Sequence, residues 1–253
     1  MRPRVIPQLL LHDRGLYKGQ RFRKPQYVGD PLNTVKLFND MAVDELIITD
    51  IFASSQGYEP DFDYLEEVAS EAFMPMSYGG GITSLEQMAK IFSSGFEKVI
   101  LNTSALRKPQ LIREAADKFG SQSIVISLDY KKGIFSSHNV YIEGARKKLL
   151  CSLEEAVARS VDQGAGEIII CSVDREGLQQ GYDISVIRSI SKTCQVPLIA
   201  SGGAGSLDHL LKAYEAGASA MAAGSLFIYQ GPYRAVLINY PDDSVLDSLF
   251  GAA

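Results

Sequence analysis

Residues of the same kind recur in this chain at one fixed separation of 122 positions. The matched pairs are Glu45 with Glu167, Asp61 with Asp183, Gly81 with Gly203, and Thr103 with Ser225. A repeat this long indicates that the chain consists of two copies of one half, at about 1–122 and 123–253. Each copy also contains a glycine-rich segment between a strand and a helix start, Ser77–Leu85 and Ala200–Asp208.

Short apolar runs alternate with longer amphipathic segments, which is the pattern of strands followed by helices. The predicted strands are Arg4–Leu11, Glu45–Asp50, Met74–Tyr78, Lys98–Asn102, Ser123–Asp129, Glu167–Ser172, Val196–Ser201 and Ala218–Ala223. The predicted helices are Leu32–Met41, Tyr64–Ala72, Leu85–Ser93, Pro109–Phe119, Leu153–Gln163, Ile184–Lys192 and Leu207–Ala216. Most of the strands are rich in Val, Ile and Leu, as strands buried on both faces are.

Eight strands that alternate with helices predict a protein of the α/β class, and the repeat favours a (β/α)8 TIM barrel. An open doubly wound sheet is the alternative, but two equal halves of four strands close naturally into eight. No Pro-rich or Ser-rich linker separates the halves, so we expect one domain over residues 1–253. The longest connections, residues 12–31 and 130–150, are expected to be loops at the catalytic end of the barrel.

Composition excludes several classes of protein. A net charge of −5 gives no support for nucleic-acid binding. Three cysteines without metal-type spacing indicate a reducing cytoplasm, and we expect no metal and no cofactor. The chain shows no secretory leader and no apolar run long enough to span a bilayer, so we expect no membrane association.

The two glycine-rich segments predict two phosphate sites at one end of the barrel. Glycines let backbone N–H groups approach an anion, and a following helix start favours negative charge. We define the first phosphate grip as Gly81, Asn102 and Thr103, and the second as Gly177, Gly203, Gly224 and Ser225. The two grips predict a small-molecule ligand with a phosphate at each end. The alternative interpretation is that these glycines only permit tight turns.

A carboxylate follows the fifth predicted strand, where the centre of such a ligand would lie. Asp129 in a partly apolar mouth is a candidate general acid or base. The equivalent position of the first strand holds Leu10, which cannot move a proton. Asp50 and Asp174 follow the second and sixth strands, and we expect them to bind ribose hydroxyls or to position Lys18. Loop capping is the alternative role for both aspartates.

Four charged residues open buried strands at the opposite end, and we call Arg4, Glu45, Lys98 and Glu167 the gate cluster. They are expected to converge at the bottom of the barrel, where charges in a low dielectric must be paired. Two interpretations stay open. The cluster is either a stabilising plug of salt bridges or a gate through which a small molecule passes along the barrel axis.

Taken together, these motifs resemble the cyclase subunit of imidazole glycerol phosphate synthase, the HisF family of histidine biosynthesis. The segments that carry the resemblance are Arg4–Pro7, Asp44–Leu46, Tyr78–Ile82, Asp174–Gly177, Gly181–Asp183 and Ala200–Gly205. The resemblance implies a barrel that docks a glutaminase at its bottom face, forming a heterodimer, and conducts ammonia through the gate cluster. At the top, ammonia reacts with a bis-phosphorylated ribulosyl aminoimidazole carboxamide ribonucleotide.

The resemblance also implies roles for individual residues, and several positions depart from it. The gate cluster and both grips match the family, the loop lysine falls on Lys18, and one catalytic aspartate falls on Asp129. The other catalytic aspartate falls on Leu10. The family usually has Cys at Gln8, Thr at Phe52, Asp at Glu176 and Thr at Leu178. The top of the barrel has therefore changed, whereas the bottom has not.

This split leads to a hypothesis and three alternatives. The hypothesis is a paralogue that pairs with a glutaminase and supplies ammonia to an amidotransferase of surface-polysaccharide sugars, an assignment carried by resemblance alone. The first alternative is a genuine, weakened cyclase of histidine biosynthesis. The second is a bis-phosphate sugar isomerase, and the third is a non-catalytic scaffold.

Overall fold

The computed structural model describes residues 2–133 and 137–251. Its strands are β1 (Arg4–His12), β2 (Gly15–Gln20), β3 (Arg23–Gly29), β4 (Leu46–Asp50), β5 (Met76–Gly79), β6 (Lys98–Leu101), β7 (Ile124–Lys132), β8 (His138–Ile142), β9 (Lys147–Ser152), β10 (Glu167–Ser172), β11 (Leu198–Ser201), β12 (Ala220–Ala223), β13 (Tyr229–Gln230) and β14 (Ala235–Val236). Its helices are α1 (Pro31–Asp40), α2 (Ala53–Gln56), α3 (Phe62–Ser70), α4 (Leu85–Ser93), α5 (Thr103–Arg107), α6 (Gln110–Phe119), α7 (Leu153–Asp162), α8 (Ile184–Ser191), α9 (Leu207–Glu215), α10 (Ser225–Ile228) and α11 (Asp243–Phe250).

Eight parallel strands close into a barrel. Their order is β1, β4, β5, β6, β7, β10, β11 and β12, and β12 returns to pair with β1. The register of closure places Arg4 beside Ala220 and Pro7 beside Ala223. The predicted (β/α)8 barrel is therefore confirmed, and the open doubly wound sheet is excluded.

Capping residues at matched positions start matched helices. Asp61 and Asp183 accept hydrogen bonds from the N–H groups of Tyr64 and Val186, at the starts of α3 and α8. Such side chains satisfy N–H groups that have no partner within the helix. Ser84 and Ser206 similarly cap α4 and α9.

The expectation of long loops after the first and fifth barrel strands is wrong. Residues 12–31 form the antiparallel hairpin β2–β3, which continues the sheet from β1. After β7, the chain forms the antiparallel strands β8 and β9. We call these the β2–β3 hairpin and the β8–β9 hairpin. Both hairpins lie at the carboxyl end of the barrel, so the walls of its mouth consist of β-strands rather than irregular loops.

Four helices were not anticipated. The short helices α5 and α10 begin at Thr103 and Ser225, directly after β6 and β12. A further short helix, α2, follows β4, and α11 supplies the outer helix after β12. Thr103 and Ser225 are repeat mates, so the repeat extends to the short helices that carry parts of the two grips.

Two separate clusters of buried apolar residues stabilise the barrel. The larger cluster lies between the strands and the surrounding helices, and it includes Phe38, Met88 and Leu210. A smaller cluster is made by residues of the barrel strands alone: Ile6, Ile47, Ile100, Val125, Ile169, Ile199, Ala220 and Ala222. These side chains fill the barrel with apolar groups between the gate cluster and the mouth.

Candidate functional site

A cavity of about 750 Å³ opens at the carboxyl ends of the barrel strands. Its floor includes Gln8, Leu10 and Asp129, and the β2–β3 and β8–β9 hairpins form part of its walls. This end of the barrel carries the active sites of barrel enzymes, because several strand ends and loops converge there. The cavity is therefore the candidate site.

Asp129 is a carboxyl group of this cavity with a raised pKa. Burial among protein atoms, together with the neighbouring charge of Glu176, raises the pKa of Asp129 to about 7. Lys131 and a hydrogen bond from Asn102 Nδ2, 3.2 Å from Asp129 Oδ2, act in the opposite direction. A carboxyl group that titrates near neutral pH is suited to exchange protons with a ligand.

Leu10 occupies the position of β1 that Asp129 occupies in β7. Leu10 lies beside Thr49 of β4 and Tyr17 of β2, whereas Asp129 lies beside Cys171 of β10 and Tyr141 of β8. Both side chains line the cavity. The cavity floor therefore combines one carboxyl group with one alkyl group at equivalent places.

The first phosphate grip lines this cavity. Asn102 Nδ2 donates to the Ser127 carbonyl at 2.9 Å, and Thr103 Oγ1 accepts from the Glu143 N–H at 3.0 Å. Gly80 and Gly81 have φ values of +122° and +71°, a region that favours glycine. A β-carbon on Gly80 would lie 2.7 Å from the Asp50 carbonyl oxygen, so the loop also requires glycine for space.

The second phosphate grip is covered by the β2–β3 hairpin. A β-carbon on Gly177 would lie 2.2 Å from the Gly19 carbonyl oxygen, and one on Gly224 would lie 2.3 Å from Lys18 Nζ. The hairpin is held in place by a 2.9 Å hydrogen bond from the Arg21 N–H to the Glu176 carbonyl. The described lining of the large cavity accordingly contains the first grip but not the second.

Lys18 lies in the covered region and is paired with a residue that sequence reasoning did not assign to it. Its side chain is 1% exposed, and Nζ lies 2.8 Å from Glu176 Oε1. We expected Asp50 or Asp174 to position this lysine. Glu176, two residues after Asp174, takes that place.

Asp50 and Asp174 are instead engaged by backbone groups. Asp50 Oδ1 accepts from the N–H groups of Phe52 and Ala53 at 3.0 Å and from the Tyr58 hydroxyl at 2.8 Å. Asp174 Oδ2 accepts from the Lys132 N–H at 2.9 Å. Asp50 lines the cavity, but the contacts of both aspartates are those of loop-capping groups.

The two hairpins carry a concentration of positive charge that the sequence interpretation overlooked. Residues 15–29 and 130–152 hold nine of the 25 Lys and Arg residues and one of the 30 Asp and Glu residues. Arg21, Arg23, Lys24, Lys131 and Arg146 line the cavity itself. A count of charge by segment could have found this feature, which makes the mouth attractive to anions.

The gate cluster forms a ring of alternating charge at the amino ends of the strands. Arg4 donates to Glu45 and, at 2.9 Å, to Glu167. Lys98 Nζ lies 3.2 Å from Glu45 Oε2 and 3.2 Å from Glu167 Oε1. Ser77 Oγ adds a 2.8 Å hydrogen bond to Glu45. Every charge of the cluster is therefore paired with two opposite charges.

Metal and membrane features are not evident in the described structure. Over residues 2–133 and 137–251, His, Cys, Asp and Glu side chains form no group of three that could hold a metal ion. Within the same ranges, no helix combines the length and apolar character needed to cross a bilayer.

Comparison with known proteins gives a consistent family. A family model described as "Histidine biosynthesis protein" matches residues 4–234. A Pseudomonas aeruginosa protein, provisionally named imidazole glycerol phosphate synthase subunit hisF2, is 50% identical over 98% of this chain and 99% of its own length. A Leptospira borgpetersenii protein, provisionally named as the HisF subunit, is 45% identical over 99% of each chain.

A relative named without that qualifier is also similar. The imidazole glycerol phosphate synthase subunit HisF of Streptococcus mutans is 37% identical over 90% of this chain and 92% of its own length. The barrel fold and the sequence matches both extend over nearly the whole sequence. The chain therefore belongs to the histidine-biosynthesis protein family, as a divergent member of the HisF type.

Proposed function

We propose that this chain pairs with a glutaminase, conducts its ammonia through the barrel, and delivers the ammonia to an amidotransferase of surface-polysaccharide sugar synthesis. The observation that carries the proposal is the contrast between a complete gate cluster and a mouth in which Leu10 replaces a catalytic carboxylate. The identity of the acceptor rests on family resemblance.

The gate cluster supports a role beyond structural stability. A ring in which Lys98 contacts both glutamates can open by moving one side chain, because Arg4 still bridges Glu45 and Glu167 when Lys98 leaves. A stabilising plug requires no such redundancy, and buried ion pairs often stabilise no more than apolar groups do. We infer that Lys98 is the moving element of the gate.

The apolar cluster inside the barrel supports the passage of neutral ammonia. Its side chains, among them Ile47, Ile100 and Ile169, offer no counter-charge to an ammonium ion. Desolvating an unpaired cation is strongly unfavourable, whereas ammonia is small and uncharged. The barrel interior therefore favours ammonia over ammonium and over larger polar solutes.

The bottom face offers a docking surface for the glutaminase. The Phe73 side chain is 90% exposed. The backbone N–H of Phe73 donates to Asn39 Oδ1 at 2.9 Å, which fixes the loop between α3 and β5. This loop lies at the gate end, because the Pro75 carbonyl accepts from the N–H of Leu46, next to Glu45. Leu37 on α1 is a further exposed apolar residue, and we infer that both lie in the docking surface.

The mouth supports a phosphorylated ligand but not ordinary cyclase chemistry. Both grips and the cations of the hairpins favour an anionic ligand, with Asp129 as the acid or base and Lys18 beside the second grip. Leu10 and Phe52 replace polar groups on the cavity wall, whereas Leu178 is only partly buried and outside the described lining. Loss of one general acid or base removes roughly 10²–10⁴ of rate.

The test reconstitutes the chain with the glutaminase of its own organism. We expect a heterodimer and, with the matching amidotransferase added, glutamine-dependent amidation of the sugar. Lys98→Ala leaves the gate without its moving side chain, so we expect ammonia to escape and less product to form per glutamine hydrolysed, while amidation from ammonium salt is unchanged. If the variant forms as much product per glutamine as the natural chain, ammonia does not depend on the gate. Failure to bind any glutaminase would favour the sugar-isomerase alternative.

A weakened cyclase is the second candidate function, and the titration of Asp129 near neutral pH favours it. The assay supplies ammonium salt and the bis-phosphate ribonucleotide and measures imidazole glycerol phosphate. We expect turnover at least about 100-fold below that of a HisF with both aspartates. Turnover close to an ordinary HisF would overturn the leading proposal.

A further inference from the structure

The covered second grip contains a cation that already has an internal anionic partner. Lys18 Nζ lies against Gly224, since a β-carbon added to Gly224 would be only 2.3 Å from this nitrogen. The same ammonium group lies 2.8 Å from Glu176 Oε1. The lysine is almost fully buried, whereas the Glu176 side chain is 15% exposed and lines the large cavity. The ion pair thus connects the second grip with the cavity.

The neighbouring residue in the same grip lacks a partner. Ser225 is 4% exposed, and its Oγ has no hydrogen-bond partner among the described residues. A buried hydroxyl without a partner is unfavourable, so such a group marks a place where a ligand or a water binds. The second grip therefore combines a paired cation with an unpaired hydroxyl.

We propose that Glu176 is an internal competitor that occupies the Lys18 ammonium group in place of a ligand phosphate, so that phosphate binding at the second grip must displace this carboxylate. The inference rests on the proposed function, because it assumes that the second grip binds phosphate. It goes further by assigning a role to Glu176 and an exchange of partners to Lys18.

The length of the side chain is part of the argument. A glutamate side chain reaches one methylene group further than an aspartate side chain. The backbone of Glu176 is fixed, since its carbonyl accepts from the Arg21 N–H at 2.9 Å and its own N–H donates to the Ser172 carbonyl at 3.0 Å. Only the side chain is free to leave Lys18, and it can then move into the adjoining cavity.

The exchange also connects the two grips. Glu176 carries one of the charges that act on Asp129. A carboxylate that leaves Lys18 no longer has the ammonium group as its counter-ion, so its charge acts more strongly on the cavity floor. Phosphate binding at the second grip thereby changes the electrostatic environment of Asp129, which lies beside the first grip.

The test is a calorimetric titration of the full chain with inorganic phosphate. The component that Ser225→Ala removes is assigned to the second grip. Glu176→Gln is expected to bind phosphate in that component about tenfold more tightly, because the competing charge is gone. Glu176→Asp is expected to show a smaller gain, because its carboxylate reaches Lys18 less well, and it serves if the glutamine variant folds poorly.

Matched controls make the outcomes distinguishable. Glu66→Gln removes one exposed negative charge on α3, outside both grips, and is expected to leave phosphate affinity unchanged. If Glu176→Gln and Glu176→Asp bind phosphate no more tightly than the natural chain while Ser225→Ala still weakens binding, the competitor role is wrong and the phosphate site stands. If Ser225→Ala changes nothing, the second grip itself is not a phosphate site, and the proposed ligand class fails with it.

Discussion

The two ends of the barrel treat their charged groups differently. At the bottom, each member of the gate cluster has two partners of opposite charge. At the mouth, Asp129 is close to titrating at neutral pH and Ser225 Oγ has no partner among the described residues. Fully paired charges hold a fixed geometry, whereas an unpaired polar group is available to a ligand, so the difference is the one expected between the proposed conducting end and the proposed binding end.

The same contrast follows from the resemblance described in the sequence analysis. The resemblance implies that the gate residues are those of the family, whereas Leu10, Phe52 and Glu176 at the mouth differ from the residues it implies there. A conducting end can be retained unchanged when the acceptor of ammonia changes, because the same small molecule passes. The following predictions test this contrast.

The largest effect is expected at the bottom, from Glu45→Ala. The Glu45 side chain is 4% exposed, and its loss leaves Arg4 and Lys98 with Glu167 alone. Breaking a buried ion network usually destabilises a protein by about 3–5 kcal/mol. Urea unfolding measures the loss, with the exposed Glu66→Ala as control. A loss as small as that of the control would show that the cluster is not a tight network.

At the mouth, Asp129→Asn is expected to stabilise the chain. The folded chain keeps this proton up to about pH 7, whereas an unfolded aspartate releases it near pH 4, so the natural chain loses stability as pH rises between these values. The variant lacks this loss. We expect it to gain about 2–4 kcal/mol at pH 8 and almost nothing at pH 4.

Urea unfolding at pH 8, 6 and 4 checks this pH dependence. Glu66→Gln again serves as the control, because its carboxyl group is exposed. A gain for Asp129→Asn that is the same at all three pH values would contradict a carboxyl group whose pKa is raised by burial.

Leu10→Asp is expected to restore the second carboxylate of the mouth. The position lines the cavity opposite the equivalent Asp129, so a carboxylate there can share acid and base roles with it. We expect cyclase turnover from ammonium salt to rise about 100-fold. Leu10→Asn, which has the same shape without a charge, is the control. No gain over the control would mean that the other departures have altered the mouth beyond one residue.

The smallest effect is expected at the docking surface. Phe73→Asp should weaken binding of the glutaminase about tenfold, because it removes an exposed apolar contact and adds a charge. Calorimetric titration of the glutaminase measures it, and Tyr233→Asp, at the opposite end and 95% exposed, is the control. Equal weakening by both would show that the glutaminase does not select the bottom face.

The sequence predicts the barrel well because most of its strands are marked by local runs of Val, Ile and Leu, whereas β12 consists of Ala and Met. It does not predict the hairpins, since residues 15–29 and 130–152 are rich in Lys, Arg and Gly and show little apolar periodicity. The gate cluster was predictable because parallel strands bring their first residues to one end. The pairing of Lys18 with Glu176 was not, because 158 positions separate them and the covering of the second grip brings them together.

The concentration of cations on the two hairpins has a consequence for how ligands reach this protein. The chain as a whole is negative, at −5, so the positive hairpins stand against an acidic remainder of the chain. An approaching anion is attracted to the mouth more than to the rest of the surface, which raises the rate of productive encounters there. The Debye length is about 8 Å at physiological ionic strength, so added salt screens the long-range attraction more strongly than it screens contacts within the bound complex. Added salt is therefore expected to lower the association rate more than it raises the dissociation rate.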